Sequence, residues 1–267
     1  RAGARRTGAA LLCIAVALCL CSHAAAAAAE AEESEVPKHM RGASGDVDIV
    51  VASENDVMVH SNSFSEEEFA AIEQLVRIWE ERHPDMPLGV VSNDTTETFH
   101  QDGVVVLPYA PMTAWLFEKL ANLCRKANAE RGWGYELQES FRQARSEAER
   151  EYDYIQVATY LPGAFYGSHV DVKWTDGEAQ NNMAMRKVAL VTLLNDPSKD
   201  YEGGRLHWYV DNDNAPGPTY APEERGATIT WRAETVFHGV TEVTSGVRRV
   251  LVWWMRRPPQ HRSADEL

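Results

Sequence analysis

Between Tyr154 and Arg257 the chain passes through six short apolar stretches: "YIQVATY", "KVALVTLLND", "GGRLHWYV", "GATITW", "VFHGVTEV" and "RRVLVWWM". Turn-rich segments such as "DNDNAPGP" separate them, and no stretch of helical periodicity lies between. The first of them alternates Ile155, Val157 and Thr159 against Tyr154, Gln156, Ala158 and Tyr160, then turns at Pro162-Gly163, which is the period of a half-buried strand. Parallel strands would need crossover helices to join them, so a run of strands without helices predicts antiparallel pairing. A barrel or sandwich of the jelly-roll kind is therefore expected over residues 151–258.

The preceding region, 63–150, reads as helical. Ser65 and Glu68 form a capping box, Phe69, Ile72, Leu75, Val76 and Trp79 trace one apolar face, and Pro84 stops the run. A turn at Asp102-Gly103 leads into a short apolar strand, "VVVLPYAP", and "MTAWLFEKLANLCRKANAERGWGY" then gives a second amphipathic helix ending near Gly132. The expected class is α+β, with the helices packed on one face of the barrel.

Both ends carry address-like segments. Residues 1–29 combine a basic start, the apolar run "AALLCIAVALCLC" and a string of small residues, the pattern of a cleavable secretory signal, so no stable membrane span is expected after cleavage. Residues 30–62 are acidic and poor in large apolar side chains apart from "VDIVVA", and are expected to be a flexible lead-in. The tail, 259–267, ends in Ala-Asp-Glu-Leu, similar to the Lys-Asp-Glu-Leu retrieval signal of the endoplasmic reticulum. Together these predict a resident of the endoplasmic reticulum lumen, with secretion as the alternative. The sequon Asn93-Asp94-Thr95 suits a glycan-bearing surface loop there. Segment 1–29 holds three arginines and no acid, so in the remainder 23 basic residues face 40 acidic ones, a net charge of −17. Such a surface repels phosphate backbones and favours basic polypeptides, which argues against nucleic acid as a partner. Three of the four cysteines fall in segment 1–29, and the fourth, Cys124, follows Ala114, Phe117 and Ala121 at helical spacing, a packing position.

The spacing His-x-Asp occurs three times, at His83-Pro84-Asp85, His100-Gln101-Asp102 and His169-Val170-Asp171. In a strand, residues two apart point the same way, so such a pair can supply two metal ligands at once. Pro84 breaks any strand around the first pair, the second sits at a turn, and only the third follows a well-defined strand across a Pro-Gly turn. A non-haem ferrous site needs a second imidazole as well, and His238 in "VFHGVTEV" is the candidate on a distant strand. Ten residues on, Arg248 alternates with Val250, Val252 and Trp254, which puts a guanidinium among inward-facing apolar side chains. A buried cation there suits the far carboxylate of a dicarboxylic co-substrate such as 2-oxoglutarate. Trp208, Trp231, Trp253 and Trp254 read as packing residues, and Arg249 as an ordinary ion-pairing residue.

The pieces "YLPGAFYGSHVD", "RKVALVTLLNDPSKDYEGGRL" and "HGVTEVTSGVRRVLVWW", in that order, resemble the prolyl 4-hydroxylase-like branch of the iron(II)/2-oxoglutarate-dependent dioxygenases. The resemblance covers about Tyr154 to Arg257 and implies a double-stranded β-helix barrel. It implies that His169, Asp171 and His238 bind Fe(II), that Arg248 anchors 2-oxoglutarate, that O2 is the second co-substrate and that ascorbate serves as reductant. Tyr160 falls where the family has a tyrosine lining the co-substrate pocket. The hydroxyl residue that relatives often place two after the arginine is Val250 here, and Thr192 is the candidate to supply the hydroxyl instead. The implied reaction is hydroxylation of an unactivated C–H bond, in a prolyl residue of a secretory polypeptide or in a small molecule. Two other readings stay open at this point: a non-catalytic jelly-roll that binds sugar or peptide, and a zinc hydrolase using the same three ligands. Substrate choice would fall to the segments "KWTDGEAQNNMAM" and "DNDNAPGPTYAPEE" around the barrel mouth.

Overall fold

A computed structural model describes residues 52–86, 99–144, 152–172, 174–175, 178–179, 185–209 and 218–258. The expected signal segment, the Asn93 sequon and the retrieval-like tail lie outside the described residues. Among the described residues no helix is long and apolar enough to cross a membrane.

From Ile155 onward the chain alternates between two antiparallel sheets. Strands Ile155–Tyr160, Arg186–Leu193, Thr228–Arg232 and Arg248–Arg256 join a six-stranded sheet, and Phe165–His169, Leu206–Tyr209 and Phe237–Val240, which fall between them in sequence, join a five-stranded one. The fold is an α+β jelly-roll, a double-stranded β-helix wound by this alternation. Gly163 makes the first crossing, with φ of 93° in the left-handed region that a turn through Pro162-Gly163 requires. Strand Gly103–Leu107 forms one edge of the larger sheet, and Phe99–His100 forms an edge of the smaller one.

Strand parity separates two cores. Ile155, Val157, Val188, Leu190, Leu251, Trp253 and Met255 face outward onto the helices, while Ala158, Tyr160, Val191, Leu193, Ile229, Trp231 and Val250 face into the barrel. Helix α1, Glu66–Arg82, starts at the predicted capping box, with Glu68 N–H donating to Ser65 Oγ and Ser65 N–H donating to Glu68 Oε2. It buries Phe69, Ile72, Leu75 and Val76. Helix α2, Ala114–Glu130, buries Leu116, Phe117, Leu120, Ala121, Cys124 and Ala127. Each large apolar side chain so buried contributes about 1.5–3 kcal/mol of transfer free energy. The helices thus stiffen the outer face of the larger sheet and leave its inner face to the site. Cys124 is fully buried, and burial pushes its thiol pKa far up, consistent with a packing role.

Residues 54–60, within the expected lead-in, are folded. A 3-10 turn, Glu54–Asp56, and a strand, Val57–His60, precede α1, and the strand pairs antiparallel with Thr228–Arg232 at the edge of the larger sheet. Val57 lies opposite Trp231 and His60 opposite Thr228 in that pairing, with both Val57 and His60 buried. Four residues of "VMVH" are too short a pattern to announce a strand, and the sheet edge they cover is assembled by residues about 170 positions away.

At the far end of the barrel wall, Asp153 binds Arg256 through two bonds of 2.9 and 2.8 Å and Arg186 through bonds of 3.2 and 3.3 Å. Burial alone would raise the pKa of this carboxyl, but Arg256 and Arg186 outweigh it and hold it below the ordinary value. The bidentate pairs tie the end of Arg248–Arg256 to the entry of Ile155–Tyr160 and so fix the register that sets Arg248 opposite Tyr160.

Candidate metal centre

The bend after strand Phe165–His169 and the start of strand Phe237–Val240 bring three side chains together. His169 and His238 are cross-strand partners, their ring centroids 4.4 Å apart. Asp171 is held two residues further on by its backbone N–H, which donates to the Ala233 carbonyl at 3.1 Å. Its two carboxylate oxygens lie 3.9 Å from His169 Nε2 and 3.7 Å from His238 Nε2. Those separations are too long for hydrogen bonds and suit atoms that share an ion at about 2.1 Å from each. Among the described residues this is the one group of three or more such side chains whose ligand atoms all lie within 4.8 Å of one another.

The tautomers are settled by the backbone. His169 Nδ1 lies 2.9 Å from the Gly167 carbonyl and His238 Nδ1 lies 3.0 Å from the Val236 carbonyl. A carbonyl only accepts, so each Nδ1 carries the proton and each Nε2 presents its lone pair toward Asp171. Burial drives the pKa of His238 down to about 4, so this ring is neutral at physiological pH and free to ligate. Asp171 and His238 are almost fully buried, whereas the His169 side chain keeps 30% of its surface exposed and borders the open side. Two imidazoles and one carboxylate converging on one point form the donor set of a non-haem ferrous site.

The other two His-x-Asp pairs do different work. His83 caps α1, with Nδ1 against the Trp79 carbonyl at 2.8 Å and its ring stacked on Trp79. Asp102 accepts from the Leu161 backbone N–H at 2.6 Å, and His100 stands 3.7 Å from it at the sheet edge.

Arg248 is 1% exposed, and among the described residues none of its guanidinium nitrogens has a partner that meets hydrogen-bond geometry. Its carbon Cζ stands 4.9 Å from the ring centroid of Tyr160, its cross-strand partner. Burial raises the pKa of the Tyr160 and Tyr201 phenols, and the nearby Arg248 cation opposes the rise in both. Neighbouring cations are engaged elsewhere: Lys187 pairs with Glu234 at 2.8 Å and Arg249 with Glu73 at 3.0 Å. An unpaired, fully buried guanidinium is costly, and it fits an anion that enters from outside the chain.

A family model described as the 2OG-Fe(II) oxygenase superfamily matches residues 155–256, the stretch that holds all three ligand candidates and Arg248. Residues 155–256 are thus similar in sequence to the 2OG-Fe(II) oxygenase superfamily. A PKHD-type hydroxylase of Parvibaculum lavamentivorans is 33% identical over 108 residues, 40% of this chain and 43% of that protein, so the match spans under half of the relative's length. The crystal structure of a prolyl-4-hydroxylase from Pseudomonas putida superposes with a TM-score of 0.53 at 17% identity, covering 76% of this chain and 94% of that one, a likeness of fold.

Two expectations for this site need correction. Thr192 does not reach Arg248. It lies opposite Leu251, so it shares the outward face of the larger sheet, and its hydroxyl is bonded to Thr228 Oγ1 at 2.8 Å. Trp231 is more than packing. Its indole N–H donates to Asp171 Oδ2 at 3.0 Å, and its ring lies 4.4 Å from that of His238. The inward parity of Ile229 and Trp231 was the available signal, but a donor's target is invisible without the fold. Trp231→Phe leaves a smaller aromatic ring without the donor, and should weaken Fe(II) binding about 10-fold, beyond the modest loss of stability expected from the core volume removed. Metal titration followed by calorimetry measures this, and equal affinity in the two proteins would make the bond incidental.

Proposed function

We propose that this protein is an Fe(II)- and 2-oxoglutarate-dependent dioxygenase that hydroxylates an unactivated C–H bond, the acceptor being a prolyl residue of a secretory-pathway polypeptide. The observation that carries the reading is one barrel interior holding both a His169, Asp171, His238 cluster with facing Nε2 and carboxylate atoms and a fully buried Arg248 whose guanidinium meets no hydrogen-bond partner among the described residues. A zinc hydrolase would use the first and leave the second unexplained. A binding protein without chemistry would need neither.

The residues divide the work. His169, Asp171 and His238 would hold iron, with Trp231 fixing the carboxylate and two backbone carbonyls fixing the rings. Arg248 would neutralise and orient the distal carboxylate of 2-oxoglutarate through its planar fork, and Tyr160 closes the pocket beneath it. The apolar inner faces around Val191, Leu193 and Val250 exclude water from that carboxylate, which strengthens the pairing. Bound iron, with 2-oxoglutarate and O2, supplies oxidative decarboxylation to succinate and CO2 and transfer of one oxygen atom to the substrate. The exposed side of His169 marks where substrate approaches. Ascorbate is the reductant this chemistry calls for when iron is over-oxidised.

Hydroxylation is supported by the name of the Parvibaculum relative. A lumenal setting is supported by the apolar, alanine-rich segment before Glu30. The net charge of −14 supports a basic polypeptide as substrate. Anaerobic addition of Fe(II) and 2-oxoglutarate to the metal-free protein should produce a visible charge-transfer band that Zn(II) does not give. No band would sink the oxygenase reading. Mass spectrometry of lumenal polypeptides from cells with and without the protein should then find prolyl peptides lighter by one oxygen atom in its absence.

A further inference from the structure

We propose that Tyr135 is a positioning residue for the metal centre, its hydroxyl clamping the turn at residues 232–236 whose backbone holds two of the three ligand side chains. The inference rests on the oxygenase reading and adds to it a residue from outside the barrel.

The turn joins strand Thr228–Arg232 to strand Phe237–Val240. Its Ala233 carbonyl accepts from the Asp171 backbone N–H at 3.1 Å, and its Val236 carbonyl accepts from His238 Nδ1 at 3.0 Å. Trp231, just ahead of it, donates to Asp171 Oδ2 at 3.0 Å. Where this turn sits therefore decides where the carboxylate and the His238 lone pair point. Its own backbone closes it with two longer bonds, from the N–H groups of Thr235 and Val236 to the Arg232 carbonyl at 3.3 and 3.2 Å.

Side chains close it from outside. Tyr135 Oη accepts from Arg232 Nε at 2.8 Å and donates to Glu234 Oε1 at 3.0 Å, so one oxygen joins both arms of the turn. Glu234 Oε2 accepts from Lys187 Nζ at 2.8 Å, and Arg232 Nη1 donates to Asp56 Oδ1 at 3.1 Å. Tyr135 is itself fixed by Asn128 of α2, whose Oδ1 accepts from the Tyr135 backbone N–H and whose Nδ2 donates to the Tyr135 carbonyl, both at 3.0 Å. The chain reverses between the two through Gly132 and Gly134, with φ of 66° and 72° in the left-handed region. The helix layer thus reaches the metal centre through one phenol. Burial pushes its pKa up to about 12, with Glu234 adding to the rise and Arg232 opposing it, so the phenol keeps the proton it gives to Glu234. Ligands already in place bind an ion more tightly than ligands that must be ordered on binding, because that ordering costs conformational entropy.

The test separates the clamp from general stability. Tyr135→Phe removes the oxygen and keeps the ring, Glu234→Ala removes the clamp from its other side, and Glu234→Gln keeps an acceptor for the phenol. Lys119→Met, which breaks the ion pair with Glu68 between the two helices, is the control. Calorimetry of the metal-free full chain gives the Kd for Mn(II), and the visible bands of bound Co(II) report ligand geometry. Tyr135→Phe and Glu234→Ala are expected to raise the Kd about 5-fold, less than the roughly 10–100-fold that a direct partner of a ligand costs, and to alter the Co(II) bands. Glu234→Gln and Lys119→Met should keep the wild-type values. An unchanged Kd and spectrum in Tyr135→Phe overturn its role and leave the oxygenase reading standing. An equal loss in Lys119→Met also overturns it, because the effect would then belong to the fold as a whole. If Tyr135→Phe does not fold, the Glu234 pair decides, and alanine behaving as glutamine does overturns the clamp. Wild type that binds neither ion overturns the oxygenase reading itself.

Discussion

His169→Ala is expected to abolish iron-dependent decarboxylation of 2-oxoglutarate while leaving the fold intact. Of the three ligand candidates, His169 is the one whose removal least disturbs packing. Its side chain is 30% exposed, whereas Asp171 and His238 are almost fully buried. Substitutions at such partly open positions change stability by about 0.5 kcal/mol or little more. The effect on metal should be far larger. Loss of an outer hydrogen bond to a ligand costs roughly 10–100-fold in affinity, and loss of the ligand itself exceeds that. Two measurements make the result decisive. Metal stabilises whatever binds it, by about 2.7 kcal/mol at a concentration 100 times Kd, so the melting temperature of wild type should rise with added Fe(II) or Mn(II). That of the variant should start near the metal-free wild-type value and stay there. Turnover surviving in the variant would mean that another side chain completes the site, with His100 the first to examine.

The three His-x-Asp pairs show what could be read from sequence and what could not. The proline after His83 argued that pair away, the turn at Asp102 left its pair only a weak rival, and strand parity put His169 and Asp171 together, because these depend on neighbours in the chain. The two helices followed from capping and period alone. Arg249 was separable from Arg248 by parity, and it pairs with Glu73 on α1. The errors arise where the answer depends on a partner strand. Thr192 looked available because its strand runs beside that of Arg248. Which face it shows is set by its register with Leu251, and a slip of one residue would reverse it. Trp231 finds Asp171 60 positions away, which no periodicity marks. Val57–His60 belongs to the same class, since an edge strand gains its identity from the strand it covers.

Arg248→Leu should move two quantities in opposite directions. In the chain without co-substrate the guanidinium is 1% exposed, with Nε and both terminal nitrogens lacking hydrogen-bond partners among the described residues. Taking a charge out of water without a partner is expensive, and apolar replacements at such sites are often neutral or stabilising by about 1–4 kcal/mol. Leucine suits the surroundings, among them Val243, Val250 and the ring of Tyr160. The ligand-free variant is thus expected to melt no lower than wild type. Its affinity for 2-oxoglutarate should fall by at least ~2 kcal/mol, because the distal carboxylate would be buried without its cation. A residue that merely supported the fold would lower both. Arg248→Lys refines the comparison, since it keeps the charge and loses the planar fork, and should bind 2-oxoglutarate with affinity between the other two. If leucine left 2-oxoglutarate binding unchanged, the anchor would have to be Lys187 or Arg249, each of which would first have to leave a carboxylate within 3.0 Å.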